Sequence, residues 1–174
     1  HQDGYLPFAL DITGLVREGE NTLTVAVWDD SERGGTAYGK QTLCRGGIWY
    51  TAQSGIWQTV WLERVPQDHL ETVRVTPLFE EAAVRFEPVF GPGCTPRPVE
   101  IAVTQEGRTV AEGAAAPGEP LTLALPDFHR WSPEDPFLYR FTVRAGEDAA
   151  AGYFGMRSFG VGKDGSGTPR LLLN

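Results

Sequence analysis

Phe137-Leu138-Tyr139-Arg140-Phe141-Thr142-Val143-Arg144 is the stretch on which the fold turns. Phe137, Tyr139, Phe141 and Val143 occupy alternate positions, with Leu138, Arg140 and Thr142 between them. Side chains of an extended chain alternate between two faces, so this spacing predicts a strand with one apolar, inward face. Six more candidate strands surround it: Leu70–Pro77, Val84–Phe90, Val99–Thr104, Arg108–Glu112, Leu121–Leu125 and Gly152–Phe159. Turn residues separate them, notably Gly91-Pro92-Gly93, Glu106-Gly107, Pro117-Gly118 and Ala145-Gly146-Glu147-Asp148. Seven short strands in about 90 residues is the count of an immunoglobulin-like sandwich. Thr109 to Ala116 is the one helix-friendly run, and Gly113 and Pro117 cut it too short.

Upstream of Pro66-Gln67-Asp68 the character changes. Leu23, Val25 and Val27 alternate with Thr24 and Ala26, which predicts a strand over Asn21 to Trp28. Ile56 to Glu63 is apolar on both faces, with Ile56, Val60 and Leu62 on one and Trp57 and Trp61 on the other. That suits a strand held between two layers, with both tryptophans in the core. Between these two lies the Gly-rich Asp29 to Gly47, a long loop of the kind that is functional or locally structured. Downstream, Gly160, Gly162, Gly165 and Gly167 read as a flexible connector ahead of a further strand at Arg170 to Leu173. The sequence thus divides into residues 1–66, 67–160 and 161–174.

Composition narrows the function. The 174 residues are 41% hydrophobic and 22% charged, close to the globular average. No apolar run approaches the roughly 18 residues of a membrane-spanning helix, so no membrane partner is expected. Lys plus Arg number 15 against 23 Asp plus Glu, a net charge of −8, and this argues against nucleic acid, whose binding is driven by basic groups. Cys44 and Cys94 cannot make a disulfide framework or a four-thiolate site. Few cysteines and no N-glycosylation sequon fit a bacterial cytoplasmic protein. The first residues, His1-Gln2-Asp3-Gly4, and the last, Arg170-Leu171-Leu172-Leu173-Asn174, both read as interior to a longer chain, so the lack of a signal peptide carries no weight on compartment.

Motifs for chemistry are weak. Gly160-Val161-Gly162-Lys163-Asp164-Gly165 fits G-x-G-x-x-G, but Pro169 leaves no room for the helix a phosphate cradle needs. The adjacent carboxylates Asp29-Asp30, Glu80-Glu81, Glu134-Asp135 and Glu147-Asp148 lie mostly in turns, and neighbours in a strand point to opposite faces. A glycosidase pair must instead face each other about 5–10 Å apart. His1, His69 and His129 are scattered, without metal-ligand spacing. No catalytic residue, metal site or cofactor is therefore expected. Aromatic content is the better lead: Trp49, Tyr50, Trp57 and Trp61 fall within 13 residues beside Gly46-Gly47 and Gly55. Sugar rings stack their C–H faces on such side chains. Trp49 and Tyr50 sit on a glycine-hinged loop, where an aromatic either meets a ligand or plugs the end of a sandwich.

Four stretches together resemble glycoside hydrolase family 2, the family of β-galactosidases, β-glucuronidases and β-mannosidases. Gly4-Tyr5-Leu6-Pro7-Phe8 with Asp11-Ile12-Thr13 and Gly19-Glu20-Asn21-Thr22-Leu23-Thr24-Val25 is similar to that family's sugar-binding jelly roll. Ser54-Gly55-Ile56-Trp57-Gln58-Thr59-Val60-Trp61-Leu62-Glu63 resembles its closing strand. Trp131-Ser132-Pro133-Glu134-Asp135-Pro136-Phe137-Leu138-Tyr139 resembles the W-S-P-x-x-P-x-L-Y of the second, immunoglobulin-like domain. Gly155-Met156-Arg157-Ser158-Phe159 is similar to the G-x-R strand that leads to the catalytic barrel.

The resemblance implies an all-β fold: a partial jelly-roll (galactose-binding-like) sandwich in residues 1–66, then an immunoglobulin-like sandwich in 67–160. Residues 161–174 would link to a (β/α)₈ barrel that carries the catalytic glutamates and lies outside this chain. Its role would be that of an inactive accessory part of a retaining exo-β-glycosidase, with carbohydrate and its own barrel as partners and room for a homo-oligomer. The loop Arg45 to Gln53 would approach the barrel's active-site mouth, making Trp49, Tyr50 and Gln53 candidates for a substrate subsite. Some β-galactosidases carry an acidic residue in that loop; none stands between Arg45 and Ser54, which puts a galactosidase-type cation site in doubt. Two rival readings are a stand-alone carbohydrate-binding module and a structural pair of sandwiches, and fold analogy alone does not separate them.

Overall fold

The computed structural model describes residues 1–174 and is all-β apart from one short 3₁₀ turn. No helix is long and apolar enough to cross a membrane. The chain forms two compact units, His1–Glu63 and Arg64–Asn174.

In the first unit, polar side chains organise the backbone locally. Asp11 Oδ1 accepts the Thr13 N–H, Asp29 Oδ1 accepts the Ser31 N–H, and Asn21 both accepts from the Arg17 N–H and donates to the Arg17 carbonyl. Short side chains that bond nearby backbone favour turns over ladders in this way. The regular pairing is a parallel contact between β1 (Gln41–Thr42) and β2 (Tyr50–Thr51), in the register Gln41↔Tyr50 and Thr42↔Thr51. The strands expected over Asn21 to Trp28 and Ile56 to Glu63 carry no ladder. Alternation specifies which face a strand would bury, but a strand also needs a neighbour for its N–H and C=O groups, and neither segment has one here. Trp57 and Trp61 are therefore not core residues: Trp61 is 73% exposed, and the Trp57 indole donates to the Gly4 carbonyl from an exposed position.

The second unit is the sandwich. β3 (Leu70–Leu78) leads through a 3₁₀ turn (Phe79–Glu81) into β4 (Ala83–Phe90). β5 (Val99–Gln105) and β6 (Arg108–Ala115) follow, then β7 (Leu121–Ala124), β8 (Tyr139–Ala145) and β9 (Asp148–Phe154). They form a three-stranded sheet in the order β3-β4-β7 and a four-stranded sheet in the order β6-β5-β8-β9, all antiparallel. The seven expected strands are all present. The last is displaced, however: it begins at Asp148, four residues before the expected Gly152, and ends at Phe154 rather than Phe159.

Turn chemistry sets two of the hairpins. Gln105 pairs with Arg108 around Glu106 and Gly107, which both have positive φ (50° and 81°), the pattern of a type I′ turn. Ala145 pairs with Asp148 around Gly146 and Glu147, where Gly146 alone has positive φ (63°), as in a type II′ turn. Both turn types match the right-handed twist of the strands they join.

The core follows the alternation. Val99, Ile101 and Val103 of β5 lie beside Tyr139, Phe141 and Val143 of β8, with Ile101 opposite Val143 and Val103 opposite Phe141. Val84 and Phe86 of β4 with Leu123 of β7 close the core from the other sheet. Phe86 meets Phe141 edge-on at 5.2 Å, one of the offset arrangements aromatic rings prefer. Asp148 joins the two sheets at one end, because its Oδ2 accepts the Leu70 N–H at 2.7 Å.

The tail is not a flexible connector. β10 (Phe159–Lys163) and β11 (Pro169–Leu173) pair antiparallel. Asp164 closes their turn by accepting from the backbone N–H groups of Ser166 and Thr168, the Ser166 hydroxyl and Arg170 Nε. The G-x-G-x-x-G stretch is thus a strand running into a hairpin turn. Glycine density pointed to flexibility, while the acceptor capacity of one aspartate imposes order.

Candidate functional site

Two surfaces hold chemistry-bearing side chains, one in each unit. The first is the loop between β1 and β2. Trp49 N–H donates to the Gly46 carbonyl and Tyr50 N–H to the Lys40 carbonyl, which turns the chain back beside β1. Gln41 is the organiser: it pairs with Tyr50 in the ladder, and its Oε1 accepts the Gln53 N–H at 2.7 Å. Trp49 (44% exposed) and Tyr50 (65% exposed) carry their rings in solvent, and Gln53 is exposed too. Gln41 therefore ties Tyr50 and Gln53 to one backbone frame.

A shallow depression of ≈ 250 Å³ in this loop is lined by Thr42, Leu43, Arg45, Thr51 and Ala52, and by none of the three expected contact residues. Arg45 was not among the residues expected to meet a ligand, yet it lines this depression. The available signal was its charge in a segment without carboxylates, and it reaches Thr51 Oγ1 at 3.4 Å. The loop's far end is pinned at Ser54, whose hydroxyl donates to Asp29 Oδ2 at 2.7 Å. That bond, with the Ser31 N–H, holds the Asp29 carboxyl below the usual carboxylate range, because both favour the ionised form.

The second surface lies on the sandwich unit. Residues 129–139 are built around Tyr139, whose buried ring stacks on Phe154 and whose hydroxyl accepts the His129 N–H at 2.7 Å. As in the tyrosine corner of immunoglobulin-like sandwiches, a tyrosine at the start of a strand bonds back to upstream backbone, here across ten residues. His129 stacks on Phe137 at 4.2 Å, and its Nε2 meets Asp135 Oδ2 at 2.6 Å. The Ser132 N–H donates to the Asp135 carbonyl, and the Asp135 N–H to Ser132 Oγ. Of the adjacent carboxylates noted above, Asp29, Asp135 and Asp148 hold the fold in these ways. Beside this loop runs an open groove of ≈ 750 Å³, whose lining includes Phe79, Trp131, Tyr153, Arg157 and Phe159.

The free thiols are kept apart, Cys44 exposed in the first unit and Cys94 half-buried in the second. Cys94 Sγ donates to the Gln67 carbonyl and lies 3.6 Å from His69 Nδ1. Nearby, the Thr95 N–H and the Arg97 guanidinium hold the Asp68 carboxyl below its ordinary range. These contacts fasten the entry to β3.

The sandwich and its W-S-P loop define an all-β, immunoglobulin-like module. Residues 69–157, more than half the chain, match the model of glycosyl hydrolases family 2, and the chain belongs to that family. A putative β-glucuronidase of Formosa agariphila is 30% identical over 76 residues, which are 44% of this chain and 8% of that protein. Among solved structures, a β-glucuronidase of Faecalibacterium prausnitzii is 27% identical with a TM-score of 0.48, covering 63% of this chain and 17% of that one. A β-D-glucuronidase of Dictyoglomus thermophilum is 18% identical with a TM-score of 0.49, covering 63% of this chain and 18% of that one. The chain thus spans under a fifth of the length of each of these proteins.

Proposed function

We propose that this chain is the non-catalytic accessory part of a retaining exo-β-glycosidase whose preferred substrate carries a terminal β-linked glucuronic acid. The family match over residues 69–157 carries the reading. In this role the sandwich supports a catalytic barrel. Residues 1–66 contribute part of a sugar-binding jelly roll, and Trp49, Tyr50 and Gln53 approach the sugar from its loop. Two carboxylates on the barrel perform hydrolysis through a glycosyl-enzyme intermediate.

Two observations favour a uronide over a galactoside. The curated relative with 30% identity is named as a putative β-glucuronidase. The loop that presents Trp49 and Tyr50 also presents Arg45 and has no carboxylate through Ser54, so its charge suits an acidic sugar.

The test compares the whole protein carrying this sequence with the 174-residue chain on nitrophenyl β-glucuronide, β-galactoside and β-mannoside. Fastest cleavage of the glucuronide by the whole protein, with none by the short chain, is expected. Preference for another sugar overturns the uronide assignment, and activity in the short chain overturns the accessory role.

A further inference from the structure

Folding joins two metal-ligating side chains that the sequence holds apart. Cys94 Sγ lies 3.6 Å from His69 Nδ1 across a separation of 25 residues, and both side chains are half-buried. Backbone bonds fix the approach: the Gly91 N–H donates to the His69 carbonyl and the Cys94 N–H to the Gly91 carbonyl, each at 3.1 Å. Gly91 is buried, and a Cβ there would come within 2.6 Å of His69 Nε2 and 3.2 Å of Cys94 Sγ. Its φ lies outside the left-handed region, so the missing side chain answers to the space beside the pair and not to backbone conformation. Two backbone oxygens border the same place. The Pro66 carbonyl is 3.1 Å from His69 Nδ1, and the Gln67 carbonyl 3.2 Å from Cys94 Sγ. Asp68, the carboxylate between them in sequence, is taken up by the Thr95 N–H and Arg97.

We propose that Cys94 and His69 chelate a divalent ion of the zinc class, as a clip across the open end of the β3–β4 hairpin. Zinc bonds of ordinary length to sulfur and nitrogen, set at a tetrahedral angle, place the two donor atoms about 3.5 Å apart. Here they already stand at 3.6 Å. Thiolate with imidazole is a donor set that suits zinc and not magnesium or calcium. Two protein side chains leave two positions, for which the Pro66 and Gln67 carbonyls and water are the available oxygens. Binding releases the Cys94 thiol proton to solvent, which also frees the Gln67 carbonyl from its S–H donor. The His69 ring takes the tautomer with its proton on Nε2, and the Nδ1 lone pair goes to the ion. His69 directly precedes β3 and Cys94 follows β4, whose ends meet at Leu70↔Phe90. The ion thus closes a loop that contains the whole hairpin, and a metal clip of that kind stabilises by restricting the unfolded chain.

The experiment titrates the reduced 174-residue chain with cobalt(II), read by the thiolate-to-cobalt charge-transfer absorption, and then displaces the cobalt with zinc. A band that saturates at one ion per chain and disappears on adding zinc is expected. Cys94→Ser should abolish the band and His69→Gln should weaken binding about tenfold or more. Cys44→Ser should change nothing, because Cys44 lies in the other unit. Thermal unfolding is the second measurement. Zinc at about a hundred times its dissociation constant should raise the midpoint of the parent chain and of Cys44→Ser by about 5 °C or more, and leave that of Cys94→Ser in place. The absence of a band overturns the site, as does a band that survives Cys94→Ser or is lost in Cys44→Ser. Full-strength binding by His69→Gln reduces the pair to a thiol acting alone and overturns the chelate. Binding without a rise in midpoint overturns the clip.

Discussion

The Tyr139 hydroxyl accepts the backbone N–H of His129 at 2.7 Å, ten residues upstream, while its ring lies in the core between Phe137 and Phe154. One side chain therefore fixes both the start of β8 and the loop that precedes it. Tyr139→Phe keeps the ring and removes the acceptor, leaving a part-buried N–H unpaired. A loss of about 1–2 kcal/mol is expected, seen as a lower urea midpoint with an unchanged slope. An unchanged midpoint would show that the loop holds without this bond.

Gly152 faces Phe141 across the β8–β9 ladder, and a Cβ there would come within 2.6 Å of the Phe141 ring. Phe141 is packed against Phe86 and cannot swing aside without disturbing it. Gly152→Ala is expected to cost about 1–3 kcal/mol by overpacking, despite the better strand propensity of alanine. A stabilised Gly152→Ala in thermal unfolding would contradict this packing.

Asp164 is held well below its ordinary carboxylate range, at about 2, chiefly by the Ser166 hydroxyl, then by Arg170 and the Thr168 N–H. A depressed carboxylate contributes stability that is present above its unfolded value and is lost as pH falls through the folded one. The β10–β11 hairpin should therefore hold above about pH 4 and loosen as pH falls toward 2. Amide signals of Ser166 and Thr168 followed by NMR report this directly, and Asp164→Asn should make them insensitive across that window.

Residues 1–66 should exchange their amide hydrogens faster than residues 67–160. The first unit has a two-residue ladder and exposed apolar side chains, whereas the sandwich has seven paired strands. Hydrogen exchange read by mass spectrometry checks this, and equal protection in the two segments would refute it.

The sandwich was legible where alternation and turn residues agreed. β8 shows both, and its apolar face is the core face. β9 was displaced because Ala149-Ala150-Ala151 has weak strand preference, and only pairing with Val143, Thr142 and Arg144 across a tight turn makes it a strand. The first unit shows the converse. Leu23, Val25 and Val27 have the right period but no partner strand, and periodicity cannot supply one. Among the candidate contact residues, the loop position of Trp49 and Tyr50 was readable from the flanking glycines. The organising role of Gln41 was not, since it depends on a bond spanning twelve residues. Arg157 was visible only as part of a G-x-R motif, because its stacking on Trp131 arises from folding.

The turn at Glu106-Gly107 also bears on speed. β5–β6 and β8–β9 are local hairpins closed by two-residue turns, whereas β5–β8 joins segments more than thirty residues apart. Short closures cost little chain entropy, so the two hairpins can zip early and their docking sets the pace. Glu106 occupies a left-handed conformation that asparagine adopts at lower cost. Glu106→Asn should therefore slow unfolding if that hairpin forms after the rate-limiting step, and hasten refolding instead if it is already formed there. Stopped-flow kinetics of this single substitution would thus date one turn within the assembly of the whole sandwich.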